Sequence, residues 1–395
     1  MTRATRTRSL GTLAVLLGLG LLCGATFKEC TPVTPAYQNP YLGHAYWYRG
    51  NTHTHTRLSD GSLNTREVAT LYRNAGYHFI ALTDHNRVNQ ENAEGIVLVR
   101  GCESGDWWEN HLNALGVVSC PEECASCWWG AGLPLCNHRE NQKRIDQALA
   151  QGGFVTLNHP NETGPDCWIN EPIEQGWPEH KLLGVRGYQA IEIMGAVDKW
   201  KFLLDRGRIV WAVMADDFHS GAPGTKGWVV VNSSRSPADP ADILENLRRG
   251  NFYAVKNGGR DATRTPAFRS IQTLGNIVAV AFTNADTIRF IDCRGVLKEE
   301  YFPGDESREK SASYVPSSGG PPVPRGYIRM EIEDTNGNIA YSQPLAVIGD
   351  TPCVSPSDPG SQPQACSKTS CSDIPCCPGY HCCGERCLPN SMQCP

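Results

Sequence analysis

The segment Asn51–Gly61, NTHTHTRLSDG, sets two imidazoles one residue apart ahead of a Ser-Asp-Gly turn. On extended backbone alternate side chains leave the same face, so His53 and His55 project together with room for one ion between them. Further oxygen and nitrogen donors recur after short apolar runs: Asp60 in the turn, Asp84 and His85 in ALTDH, Glu103 in VRGCE, His111, His159 in TLNHP, Glu192 in IEIMG, and Asp216, Asp217 and His219 in MADDFH. Any one of these alone is an ordinary strand-end residue, and the paired carboxylate and histidine of TDH or DDFH could simply cap a turn. Six histidines and at least three carboxylates in such positions are together the donor set of a metal site. His44, His78, His138, His180 and His381 follow no such placement and read as ordinary.

Donors so far apart in sequence need a scaffold that gathers them. From about Ala45 to Val255 short apolar runs alternate with helical patterns, the signature of a β/α architecture. Phe79–Leu82, Ile96–Val99, Phe154–Leu157, Ala190–Ile193 and Ile209–Val213 read as strands, with helices over Thr65–Ala75, Arg139–Ala150, Asp198–Asp205 and Ala241–Arg248. Gly76 and Gly152 sit where helices should stop. In a barrel of parallel strands the C-terminal strand ends open on one rim, which is where these donors would converge.

Beyond about Ala262 the period changes to alternation, in Ile277–Phe282, Thr287–Asp292 and Tyr327–Glu333. There Ile328, Met330 and Ile332 share one face, and Asn336-Gly337 is a hairpin turn. This predicts a small antiparallel β-sandwich over residues 262–350, then a Pro/Ser-rich linker at 351–365. In the final module, residues 366–395, eight cysteines fall within 29 residues. So short and polar a stretch cannot fold on apolar burial, and four disulfides are expected; a zinc module is the weaker reading. No internal repeat is present.

Residues 1–25 carry Arg3, Arg6 and Arg8, the apolar run Leu10–Leu22 and small residues through Ala25, the plan of a cleaved export signal. The run is shorter than the roughly 17 to 20 residues of a bilayer span. Bulky Leu22 ranks lipidation at Cys23 well below simple cleavage. Cleavage leaves 17 of 18 cysteines, six of them between Cys102 and Cys167, and export with this density implies an oxidising compartment and disulfides. An odd count leaves one cysteine free or paired with another chain. The formal charge of -5 opposes a dedicated binder of nucleic acid or anionic membrane.

Taken in order, HTHTRLSDG, ALTDH, GCE, His111, NHP and DDFH resemble the motifs of the polymerase and histidinol phosphatase (PHP) superfamily, over roughly residues 45–260. The resemblance implies a distorted (β/α)7 barrel and a centre of two or three divalent ions, zinc, manganese or iron. By that resemblance one ion is held by His53, His55, Glu103 and Asp217, and Glu103 bridges to a second on His111 and His159. Asp60, His85 and His219 would hold a third. Asp84 and Asp216, next to ligands, are expected to orient them, and Glu192 to lie near the rim without an assigned role. The alternating region, with GYIRMEIEDTNGNIAYSQPLAV, further resembles the carbaryl-hydrolase type (CehA/McbA-like) branch, where a similar β-domain follows the barrel. The cysteine-rich tail and the Cys120–Cys136 insertion stand outside that pattern.

Such a centre lowers the pKa of a bridging water and polarises the scissile oxygen, so no serine or cysteine nucleophile is required. A G-x-S-x-G elbow is indeed absent. The expectation is an exported hydrolase of a small-molecule ester, a phosphoric ester first, because several cations suit a phosphoryl group. Carbamate or carboxylic ester hydrolysis is the second reading and nucleotide or 5′-3′ exonuclease-like activity the third. A secreted binding protein with a vestigial barrel is the non-enzyme alternative, which the complete donor set opposes. Six of ten tryptophans, Trp107, Trp108, Trp128, Trp129, Trp168 and Trp177, could wall the pocket or pack beneath pinned loops. Arg57, Arg87 and Lys199 are candidate phosphate-binding cations. Substrate identity and the partner of the tail are not legible.

Overall fold

A computed structural model of the chain describes residues 37–105, 110–121, 138–162, 164–165, 172–173, 176–259, 264–304, 307–354, 380–383 and 386–389. The expected export signal, Cys30, the insertion at 122–137, the linker beyond 354 and most of the cysteine-rich tail lie outside the described residues.

A row of short strands carries the predicted donors: β1 (Tyr46–Asn51), β2 (Phe79–Leu82), β3 (Val97–Ser104), β4 (Leu112–Leu115), β5 (Phe154–Leu157), β6 (Ala190–Glu192) and β7 (Trp211–Val213). β1, β2 and β3 pair in parallel, as do β5, β6 and β7, whereas β4 runs antiparallel to both of its neighbours. The row turns back on itself, because Phe218 just past β7 bridges Thr54 just past β1. This mixed α/β array is compatible with the distorted barrel that the motifs imply. β1 also pairs antiparallel with β8 (Gly227–Ser233), which in turn pairs with β9 (Phe252–Lys256).

All four residues of β2 and of β5 are buried, because these strands lie between two apolar layers. Phe79 and Ala81 join an inner cluster with Val99, Leu115, Phe154, Ala190 and Val213. Ile80 and Leu82, one residue out of step, meet Val68, Ala69 and Tyr72 of helix α1 (Thr65–Asn74). Asn64 caps α1 in a reciprocal box with Glu67, and Gly76, at φ 80°, turns the chain out of it. Helices α2 (His138–Ala150), α3 (Glu179–Gly184) and α4 (Val197–Asp205) cover a second cluster that includes Ile145, Leu182, Trp200 and Leu203. Helix α5 (Pro240–Arg249), capped by Asp239 at one end and Gly250 at the other, adds Ile243, Leu244 and Leu247 to the inner cluster. Each of these three stabilises the fold by about 1.5–3 kcal/mol through apolar burial.

After β9 the chain is antiparallel. β10 (Ala267–Leu274), β11 (Ile277–Thr283) and β14 (Lys310–Tyr314) form one sheet, while β12 (Thr287–Asp292), β13 (Gly295–Tyr301), β15 (Tyr327–Glu333), β16 (Ile339–Tyr341) and β17 (Leu345–Val347) extend the sheet that holds β1 through the β9–β16 pairing. Phe268, Val280 and Phe282 share a core with Ile288, Phe290, Ile328, Met330 and Ile332, so the face predicted for β15 is the buried one. Beside this unit, Gln343 reaches the edge of β7: its Oε1 accepts from the Ala212 N–H at 2.7 Å and its Nε2 donates to the Ala212 carbonyl at 2.9 Å.

Two disulfides join described residues, Cys102–Cys120 and Cys293–Cys353, in keeping with an oxidising compartment. No helix among the described residues is long and apolar enough to cross a membrane. In the tail, Tyr380–Cys383 pairs antiparallel with Arg386–Pro389.

Candidate metal centre

The donors gather at one end of the strand row. His53 and His55 follow β1, His85 follows β2, Glu103 ends β3, His159 follows β5, and Asp217 and His219 follow β7. His111 precedes its strand instead, and the reversal of β4 accounts for this: the start of a strand that runs backward lies beside the ends of its neighbours. The turn after the first histidine pair folds tightly enough that a Cβ on Gly61 would come 2.5 Å from the His55 carbonyl oxygen, so that position requires glycine.

Glu103 is the hub, with 1% of its side chain exposed. Its Oε2 lies 3.2 Å from Nε2 of both His53 and His55 and 3.5 Å from Nε2 of His85. Its Oε1 lies 3.2 Å from Nδ1 of His111 and from Nε2 of His159, and accepts from Asn158 Nδ2 at 2.7 Å. Asp217 Oδ1 is 3.3 Å from His53 Nε2 and 3.4 Å from His55 Nε2, and these two nitrogens are 3.1 Å apart. Separations of this size are those of nitrogen and oxygen ligands held ~2.0–2.2 Å from a shared ion. Among the described residues four groups of donor atoms are close enough to hold an ion: His53, His55 and Asp217; His85, Glu103 and His111; His111, His159 and Glu162; and His55, Asp60, His85 and His219. Glu162, three residues beyond His159 in the turn after β5, was not singled out from the sequence; its carboxylate contacts His159 Nδ1.

The remaining ring nitrogens show how the rings are aimed. Glu192 Oε1 is 2.9 Å from His53 Nδ1, and Asp60 Oδ1 is 3.2 Å from His55 Nδ1. With a proton on each Nδ1, both Nε2 lone pairs point at Glu103 and Asp217, toward the place of the ion. Asp60 also turns its Oδ2 toward His219 at 3.2 Å and His85 at 3.7 Å. His159 and Asp217 hold positive backbone φ of 24° and 48°, a strained setting that marks sites where geometry is imposed by the surroundings.

Asp84 and Asp216 hold the turns that carry the ligands, and Asp84 also reaches a ring through Ser59, whose Oγ donates to Asp84 Oδ1 at 3.0 Å and lies 3.3 Å from His55 Nδ1. Asp84 accepts from the Thr56 amide and hydroxyl, from Ser59 Oγ and from Asn89 Nδ2, fixing the backbone after the histidine pair. Asp216 accepts from Tyr72 Oη at 2.8 Å and from the amides of Gly224 and Lys226, fixing the loop after β7. Each carboxylate is fully engaged by a turn. Trp177 is buried in the second cluster, with Nε1 donating to the His111 carbonyl at 2.8 Å, so it packs beneath the site; the other five tryptophans lie outside the described residues. Arg57 Nε donates to the Ser62 carbonyl, Arg87 Nη1 to that of Leu58 and Lys199 Nζ to that of Pro160. Lys226 stands beside the donors, its Nζ 3.5 Å from Asp217 Oδ2 and its side chain 45% exposed.

Burial and charge pull against each other here. Desolvation pushes the His53 pKa down, but Glu103, Asp217 and Glu192 together raise it to about 10. His159 rises to about 10 as Glu103 and Glu162 outweigh the same burial. Burial likewise works to raise Glu103 and Asp217, yet the imidazoles around them hold both well below the usual carboxylate range. The pocket therefore attracts positive charge, as protons or as cations. Exposure grades from the floor, His53 and His55 at 0%, to a lip at Asp60 with 40% and His219 with 38%.

No protein-family model and no curated protein matches the chain. Among solved structures it is similar to a two-domain protein of Bacteroides vulgatus containing a predicted PHP-like metal-dependent phosphoesterase, with 15% identity, 81% of this chain and 100% of that one covered, and a TM-score of 0.39. It is also similar to an amidohydrolase of Chromobacterium violaceum with bound sulfate and no metal, at 18% identity, 44% and 88% coverage and a TM-score of 0.31. A third likeness, to a provisionally named metal-dependent phosphoesterase of Bifidobacterium adolescentis, has 12% identity, 50% and 94% coverage and a TM-score of 0.32.

Proposed function

We propose that the chain is an exported metal-dependent hydrolase of the PHP type whose substrate is a small phosphoric ester. The observation that carries this reading is the placement of Glu103, one oxygen facing His53, His55 and His85 and the other facing His111 and His159, as a carboxylate shared by two cations must. His53, His55 and Asp217 would hold one ion with Glu103, His111 and His159 a second, and Asp60, His85 and His219 a third at the lip. Bound divalent ions supply Lewis acidity and an acidified water to an ester. The chain's part is to aim His53 and His55 through the carboxylates behind them, and to admit substrate over Asp60 and His219. Lys226, amine outward beside Asp217, is placed to receive an anionic oxygen of the substrate.

In this reading the barrel spans residues 45–260 and the antiparallel unit 262–350, with linker and cysteine-rich module beyond. The two-sheet unit after the barrel also favours the CehA/McbA-like branch and, with it, carbamate or carboxylic ester hydrolysis as the second reading. The test is to count ions per chain in the purified protein and assay aryl phosphate, aryl phosphodiester and aryl carbamate in parallel, with Glu103→Ala beside the wild type. Phosphoester turnover that disappears with the ions in Glu103→Ala supports the proposal. Carbamate turnover alone selects the second reading, and a folded wild type that takes up no ion sinks both.

A further inference from the structure

Glu192 ends β6, 7% exposed, among residues that the motifs leave without a task. Its two oxygens go to different halves of the centre: Oε1 to His53 Nδ1 at 2.9 Å, and Oε2 to the backbone N–H of His159, which donates at 2.8 Å. We infer that Glu192 is a positioning residue that couples two ion positions, by fixing the ring of His53 and the backbone of His159 with one carboxylate. The inference rests on the metallohydrolase reading above.

The argument is one of hydrogen-bond polarity. The His159 amide can only donate, and His53 presents its Nε2 lone pair to an ion only when Nδ1 carries the proton and donates as well. Glu192 thus faces two donors, and a carboxylate is the side chain that accepts at both ends. From its held position, at φ 24°, His159 puts Nε2 3.2 Å from Glu103 Oε1, while His53 puts Nε2 3.2 Å from Glu103 Oε2. The two donor groups are therefore tied together twice, through Glu103 in front and Glu192 behind. With an ion bound on its Nε2, His53 would donate more strongly from Nδ1 to Glu192, and Glu192 would in turn hold the His159 backbone where its ring can serve a second ion.

Glu192→Gln separates this role from mere filling of space. The amide keeps the shape but offers one acceptor and one donor, so it opposes either the His159 amide or the required tautomer of His53. Metal-free wild type, Glu192→Gln and Glu192→Ala would be titrated with Zn²⁺ against a chromophoric chelator, ions per chain counted by elemental analysis, and folding followed by circular dichroism. The expected result is a zinc affinity lowered roughly 10- to 100-fold in Glu192→Gln, no less than in Glu192→Ala, with uptake of the later ion no longer favoured by the earlier one. In the zinc-loaded wild type the His53 Nδ1–H should give a slowly exchanging, strongly deshielded proton resonance, a readout that needs no variant to fold. Wild-type zinc binding in Glu192→Gln, or a rapidly exchanging His53 Nδ1–H, overturns the coupling while leaving the hydrolase reading intact. A folded wild type that binds no zinc and no Mn²⁺ overturns both.

Discussion

The same strands behave differently at their two ends. Their first residues, Phe79, Phe154 and Ala190 among them, join an apolar cluster sealed by Ile243, Leu244 and Leu247 of α5. Their last residues and the turns beyond carry imidazoles, carboxylates and the positive-φ backbones of His159 and Asp217. One end is held by burial alone; the other buries imidazoles and carboxylates, whose charges must be balanced by protons or cations. The contrast teaches that folding and chemistry are assigned to opposite ends of each strand, so each should be open to damage without the other.

The largest effect should come from the rim. Replacing His53 and His55 together by alanine is expected to lower turnover on the order of a thousandfold or more and to abolish ion uptake, with the far-ultraviolet dichroism unchanged; turnover retained by the double variant would refute the site. At the opposite end Leu247→Ala should lower unfolding stability by about 2–5 kcal/mol in denaturant titrations, while ions per chain stay at the wild-type number.

The two ends should also separate by pH. His53 and His159 have ordinary values of 6.5 and are raised to about 10 in the folded, ion-free protein. Their raised values add stability that is complete below about pH 6.5 and is lost as pH rises through about 10. The melting temperature of chelator-treated protein should therefore fall across that window, and that of ion-loaded protein should not, because ions take the place of the protons. A flat profile for the ion-free form would mean that the rim contributes no such charge. The smallest effect is expected at Lys226→Met, a roughly tenfold rise in KM for an anionic ester, with KM for a neutral ester unchanged.

Most of the centre was legible because ligand chemistry selects residue types and strand ends select places. β2, β5, β12 and β15 have the bounds that apolar runs and alternation predict, and α1, α2, α4 and α5 fall within a residue or two of theirs. β4 was not legible: Leu-Asn-Ala-Leu is too short to carry a period, and nothing in it announces that it runs backward. Asp84 and Asp216 could be set beside the ligands by sequence but not given their partners, which lie in the turns after the histidine pair and after β7. Glu192 likewise could be placed near the rim but not given its partners, which come from β1 and β5. The joining of the antiparallel strands to the donor-bearing sheet depends on pairing between distant segments, which local pattern does not encode.

Gln343 gives the primary amide of a side chain the job of a peptide unit: it supplies β7 with the donor and acceptor that a neighbouring strand would present to Ala212. The flank of the strand row is thus finished by a residue 131 positions further along the chain. During synthesis the histidine-bearing half emerges first, and Ala212 must wait for this partner until Gln343 arrives.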